Sequence, residues 1–129
     1  KDGTSKICYI ISQPIATSPS DLNRGEHALM ITNFKDDGTF HEASVDTGFT
    51  FKPKSMVEVS INNSSYKFFT IESRAWLAEG ENSKKLIKDM KNGARVKVKS
   101  ISSRGTKITD TYSLIGFTKA LAAIDEACS

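Results

Sequence analysis

The stretch SSRGTKITDTYSL, Ser102 to Leu114, gathers Ser102, Arg104, Gly105, Thr106, Lys107 and Asp110 into a few residues. Those residue types bind phosphate when a glycine-rich backbone runs into Gly-Lys-Ser/Thr at a helix start, where free amides and the lysine converge on the anion. Here the order is Gly105, Thr106, Lys107 and a strand pattern follows, so the convergence fails. Ser64 and Lys67 reproduce S-x-x-K, a spacing that activates a serine when both residues share one helical face. They straddle a turn and a strand, where that geometry fails, and the companion S-D-N and K-T-G motifs are missing. His27 and His41 have no spaced Cys or carboxylate partners, and neither G-x-S-x-G nor H-E-x-x-H occurs. We therefore assign no catalytic, cofactor-binding or metal-binding residue, and the expectation is a protein that is not an enzyme. Trp76, the one tryptophan, reads either as core packing or as an interface anchor.

The elements around these residues follow from local pattern. ARVKVKSI (Ala94 to Ile101) alternates Val96 and Val98 with Lys97 and Lys99, and ITDTYSL alternates Ile108, Tyr112 and Leu114 with Thr109, Thr111 and Ser113. Two such strands joined by SSRGTK predict a β-hairpin with Gly105 at the positive-φ position. The turn then either only connects, or presents Arg104 and Lys107 as a contact loop for an acidic partner. Asp110 breaks the pattern, because alternation points it the same way as Ile108 and Tyr112. Its carboxylate is expected to accept hydrogen bonds from backbone amides or from Arg104 or Lys107, since an unpaired buried charge is too costly.

Elsewhere ICYII (Ile7 to Ile11) reads as a buried strand, followed by a loop rich in Ser, Pro, Asn and Asp as far as Gly25. HALMITNF and FHEASVDTG read as a hairpin around Asp36 to Gly38, with Phe40, Val45 and Phe49 as the apolar members of its second strand. MVEVSI carries Val57, Val59 and Ile61 on one face, and NNSS turns the chain into YKFFTI. Helical period occurs twice. Ser83 is placed to cap a helix with the stripe Leu86, Ile87 and Met90, stopped by Asn92 and a left-handed Gly93. Phe117, Leu121, Ile124 and Cys128 form the apolar stripe of a closing helix. Many short strands with two small helices predict a mainly β chain, a β-sandwich, in one domain over residues 1–129.

With 38% hydrophobic and 26% charged residues the composition is that of a soluble globular protein, and no apolar run reaches the roughly 20 residues of a membrane helix. The net charge of +3 is spread rather than massed, which argues against a nucleic-acid partner. The chain opens at Lys1 rather than Met, as expected for a mature form with its signal peptide removed or for a trimmed one. Cys8 and Cys128 form no CxxC or metal set. In an oxidising compartment they close a loop worth on the order of 4 kcal/mol; in a reducing one they pack as two buried thiols.

The ordered set CYIISQP (Cys8 to Pro14), NRGEHALMIT (Asn23 to Thr32), AWLAEG (Ala75 to Gly80), MKNG (Met90 to Gly93) and SSRGTKITDTYSLIGFTKALAAIDEAC (Ser102 to Cys128) resembles the invasion-associated locus B family across nearly the whole chain. The resemblance implies a small exported protein of Gram-negative bacteria, an immunoglobulin-like β-sandwich and a Cys8–Cys128 disulfide. Founding members are linked to entry of bacteria into host red cells. It carries over no catalytic motif, and Phe49 stands where the family favours Tyr after Gly48. The function it implies is a non-enzymatic virulence protein of the periplasm, outer membrane or secreted fraction, promoting host-cell invasion through contacts with a host-surface or envelope protein. The alternative is a general periplasmic binding or stress-survival factor.

Overall fold

A computed structural model describes residues 6–19 and 24–129, so Lys1, Asn23 and part of the Ser- and Pro-rich segment lie outside the described residues. In chain order the elements are β1 (Ile7–Ser12), β2 (Ala16–Ser18), β3 (Ala28–Phe34), β4 (Thr39–Asp46), β5 (Val57–Ile61), β6 (Ser64–Ile71), β7 (Arg74–Leu77), α1 (Ser83–Asn92), β8 (Arg95–Ile101), β9 (Lys107–Ser113) and α2 (Phe117–Ala127). Where the sequence alternates cleanly, the strands form as expected: Val57, Val59 and Ile61 of β5, and Val96 and Val98 of β8, point into the core with the charged residues between them outside.

All the strands join one antiparallel sheet in the order β1-β3-β4-β7-β6-β5-β8-β9-β2. Strands β1 and β2 stand at opposite ends of that order, yet only Gln13, Pro14 and Ile15 separate them in the chain. Four Cα steps reach at most roughly 14 Å, so the sheet must curl until its two edges meet. A curled sheet of this kind has two walls facing each other across one core, with a corner near Pro14, and is compatible with an immunoglobulin-like sandwich. The helices complete the enclosure. Leu86, Ile87 and Met90 of α1 and Phe117, Leu121 and Ile124 of α2 join the same core as Val45, Val59, Phe68 and Tyr112. Each such large side chain contributes about 1.5 to 3 kcal/mol of burial before ordering costs.

Several local expectations change in the structure. The run ICYII is an edge strand: Ile7, Tyr9 and Ile11 are each more than half exposed, and Cys8 and Ile10 face the core. An unbroken apolar run has no period to show which side is wet. The segment read as a loop contains β2, which pairs with β9 through Ala16–Thr111, Thr17–Asp110 and Ser18–Thr109. Phe40 is exposed rather than a core member of β4, because it lies five residues from the inward Val45 and strand alternation turns it to the outer face. Beside it His41 adopts φ 60° where the register with β3 shifts between Thr32 and Phe34. Asn82, not Ser83, caps α1, its side chain accepting from the Lys85 amide at 3.0 Å. Gly93 has φ −96°, so it is not a left-handed stop. Its lack of a Cβ serves packing instead, since one would stand 2.7 Å from Ile61 Cγ2.

Candidate functional site

Asp110 points inward from β9, as its place between Ile108 and Tyr112 requires, and its side chain is fully buried. Its partner is Arg24, not Arg104 or Lys107. The Arg24 guanidinium, 5% exposed, donates from Nη1 to Oδ1 at 2.9 Å and from Nη2 to Oδ2 at 2.8 Å, a bidentate pair. Arg24 also donates from Nε and Nη2 to the Thr47 carbonyl at 2.9 and 2.7 Å, and Thr17 Oγ1 donates to Asp110 Oδ1 at 2.9 Å. The ring of Phe49 lies 5.0 Å from the guanidinium carbon, so this position needs a face rather than a hydroxyl to hold the cation. Two glycines bring the segments together. Gly25 donates to the Gly48 carbonyl at 3.0 Å, and a Cβ on Gly48 would stand 2.4 Å from the Gly25 carbonyl oxygen. Arg104 and Lys107 lie at the outer end of the hairpin and are exposed, with Asp110 three residues, or about 10 Å, down the strand from Lys107. Both carboxylate oxygens of Asp110 and Nε, Nη1 and Nη2 of Arg24 have partners within the protein, which makes the pair a clamp between segments.

Ser102 to Lys107 is a turn. The Ser102 amide donates to the Thr106 carbonyl at 2.9 Å, the Gly105 amide to the Ser102 carbonyl at 2.8 Å, and Gly105 has φ 87°. Gly105→Val is expected to lower stability by about 1 kcal/mol or more through backbone strain, while Arg104→Ala and Lys107→Ala stay within about 0.5 kcal/mol of the parent. Urea unfolding of the three variants checks both statements.

A constellation of hydroxyl, amine and carboxylate with catalytic residue types joins β6 to α1. Lys85 Nζ donates to Ser64 Oγ at 3.0 Å, Tyr66 Oη at 3.2 Å and Asp89 Oδ2 at 3.1 Å, and Tyr66 Oη donates to the same carboxylate. The hydrogen bonds to Asp89 and then Tyr66 hold the Lys85 ammonium above its ordinary pKa, while those from Tyr66 and then Lys85 hold the Asp89 carboxyl below its own. Burial, reinforced by Asp89, pushes the Tyr66 phenol up. With bonds to Ser64, Tyr66 and Asp89, Lys85 ties β6 to α1 as a hydrogen-bonded strut, and a raised pKa is the wrong direction for a base acting on Ser64. Lys67 is on the opposite face of β6 from Ser64, which dissolves the S-x-x-K pair.

His27 Nδ1 contacts the Gly25 carbonyl, and His41 Nε2 meets Asp125 Oδ1 at 2.8 Å. Asn33 completes this second knot: its Nδ2 donates to Asp125 Oδ1 at 2.8 Å and its Oδ1 accepts from the His41 amide at 2.8 Å, pinning α2 to the bulge in β4. Partial burial alone would raise the Asp125 carboxyl, but the bonds from Asn33 and His41 outweigh it and leave it below the usual carboxylate range. Its folded pKa is thus depressed, so its contribution is complete above about pH 5 and is lost as pH falls through the carboxylate range. The pair is half-exposed and its contribution below about 1 kcal/mol. Asp125→Asn is expected to flatten the fall of Tm between neutral and acid pH, as followed by circular dichroism.

A concave feature lies on the outward face of the sheet. A single cross-strand row runs Ile11, Met30, Ser44, Trp76, Phe69, set by the registers of β1, β3, β4, β7 and β6. Ala75 takes the inward place on β7, which turns Trp76 outward, half-buried, and stacked on Phe69 with centroids 5.7 Å apart. Together with Phe40, Ile71 and Leu77 the two rings line a groove of about 550 Å³, with Glu42 and His41 on its wall. Phe40 is 45% and Phe69 41% exposed. Trp76 is therefore outside the core, and no local spacing joined it to Phe40 and Phe69, which sit on three different strands.

On the inner side of the edge strand, Cys8 of β1 and Cys128, just past the end of α2, are joined by a disulfide with Cα atoms 6.1 Å apart and a sequence separation of 120. The family model described as invasion associated locus B (IalB) protein matches residues 1–125. The chain belongs to the IalB family. Comparison with curated proteins and with solved structures gives no match. Among the described residues no helix is long and apolar enough to cross a membrane, and this IalB chain carries its disulfide as exported proteins do.

Proposed function

We propose that this IalB protein is a non-enzymatic protein of the bacterial envelope or surface that promotes entry into host cells by binding another protein. The observation that carries the reading is the exposed aromatic groove of Phe40, Phe69 and Trp76. Exposed aromatic rings cost solubility, and a cluster of them in a groove supports the reading of an interaction surface. Trp76 stacks half-buried on Phe69, and tryptophan is favoured as an anchor of such contacts, which supports the reading. Export is supported by the disulfide, and the host-entry role by family membership. Against an enzyme counts the upward shift of the Lys85 ammonium, the wrong direction for a base acting on Ser64.

Deleting the gene is expected to lower host-cell entry without slowing growth under envelope stress. Restoring it with the double variant Phe40→Ser, Phe69→Ser should fail to return entry, although these exposed positions change stability by no more than about 1 kcal/mol. Slowed growth under stress with normal entry is the opposite pattern, and it would replace this reading with that of a periplasmic stress-survival factor.

A further inference from the structure

The aromatic groove does not end at Phe40. A second depression of about 420 Å³ shares Phe40, His41 and Ser83 with it and continues along α1 past Lys84, Ile87, Lys88 and Lys91. Lys84, Lys88 and Lys91 stand at i, i+4 and i+7, one face of the helix, over about 10.5 Å of its length. Helix stability accounts for Lys91, a cation in the last turn, but not for Lys84 and Lys88. Like charges at i and i+4 oppose the helix, and Lys84 lies in its first turn, at the positive end of the macrodipole, with no acidic residue there. Among the described residues Lys84 and Lys88 make no salt bridge, the carboxylate of Asp89 being taken by Lys85, and all three lysines of the stripe are exposed. Lys91 is the partial exception, since its field reaches Asp125. The groove thus pairs an aromatic floor with two lysines, Lys84 and Lys88, that make no salt bridge among the described residues, Glu42 being the carboxylate on its wall.

We infer that the joined groove binds an acidic, extended segment of a partner protein, with an apolar side chain seated against Phe40, Phe69 and Trp76 and carboxylates over Lys84 and Lys88. This rests on the reading that the groove makes protein contacts, and it adds the chemistry of the partner. Concavity favours a chain over a bilayer: one strand of peptide enters a groove and steers its carboxylates away from Glu42 on the wall, whereas a continuous anionic surface would press against that glutamate.

The test uses the single Trp76 as its reporter. The full chain is titrated with a blocked decapeptide that alternates Asp with Leu around a central Phe, and with the same peptide carrying Asn for Asp. The acidic peptide is expected to give a saturable change in Trp76 emission that weakens with salt, and the Asn peptide is not. The double variant Lys84→Glu, Lys88→Glu should bind at least about tenfold more weakly, as opposed charges at a contact do. That variant places acid in the first turn, so it should melt no lower than the parent, which separates lost binding from lost fold. Absence of a saturable change, equal binding of the Asn peptide, or undiminished binding by the charge-reversed variant would each overturn the inference. So would an equal response to phosphatidylglycerol vesicles, which would make the occupant a membrane. If the peptide fails while Phe40→Ser, Phe69→Ser still abolishes host-cell entry, the acidic partner is refuted and the protein-contact reading stands. The converse result, peptide binding with normal entry, refutes the role in entry alone.

Discussion

Cys128→Ala is expected to lower the free energy of unfolding by about 4 to 5 kcal/mol, because the disulfide it removes closes a 120-residue loop in the unfolded chain. The bond joins the edge strand β1 to the residue that caps the C-terminus of α2, and Cys128 itself is fully buried. Without it, α2 is held by Phe117, Leu121 and Ile124 and by the knot of Asp125 with Asn33 and His41. The helix and the edge strand should therefore loosen first, showing faster amide exchange than β5 or β8. Urea unfolding of oxidised, reduced and Cys128→Ala protein measures the effect. Equal stability of the oxidised and reduced forms, or two free thiols in protein recovered from the exported fraction, would overturn it.

The second large effect belongs to the buried clamp. Asp110→Ala leaves the Arg24 guanidinium in a dry site with only the Thr47 carbonyl and the Phe49 face, and Arg24→Ala leaves a bare carboxylate against Thr17. Each is expected to cost about 3 to 5 kcal/mol, the usual result of breaking a buried ion pair by one partner. The double variant Arg24→Met, Asp110→Leu should recover a large part of that loss, since the desolvation penalty of both charges disappears together. A double-mutant cycle in urea reads the coupling. Additive losses would mean that the two side chains stabilise the fold independently, contrary to the bidentate geometry.

These two ties and the proposed contact face lie on different parts of the molecule. The disulfide and the clamp hold chain ends and the Arg24 segment against the core, whereas Phe40, Phe69 and Trp76 lie on the outward face of β4, β6 and β7. Variants of the first kind should lose host-cell entry in step with their loss of folded protein. Groove variants should lose it with the melting temperature nearly intact, and that separation is measurable in the same set of proteins.

What the sequence determined by itself was whatever depends on neighbours a few residues apart. Alternation in β5, β8 and β9 placed Val57, Val96, Ile108 and the odd Asp110 on the inner face, and helical spacing placed Leu121 and Ile124 correctly. The positive φ of Gly105 followed from a turn of few residues between two alternating strands. Tertiary structure decided the rest. Asp110 could be known to need a partner, but Arg24 lies 86 positions away and comes within reach only because the Gly25 and Gly48 backbones touch. Likewise the exposure of Ile7, Tyr9 and Ile11 depends on β1 being an edge, which an unbroken apolar run does not encode. The groove is the clearest case: Phe40, Phe69 and Trp76 meet because the registers of three strands bring them together, and strand pairing is a long-range choice made by the packed sheet as a whole.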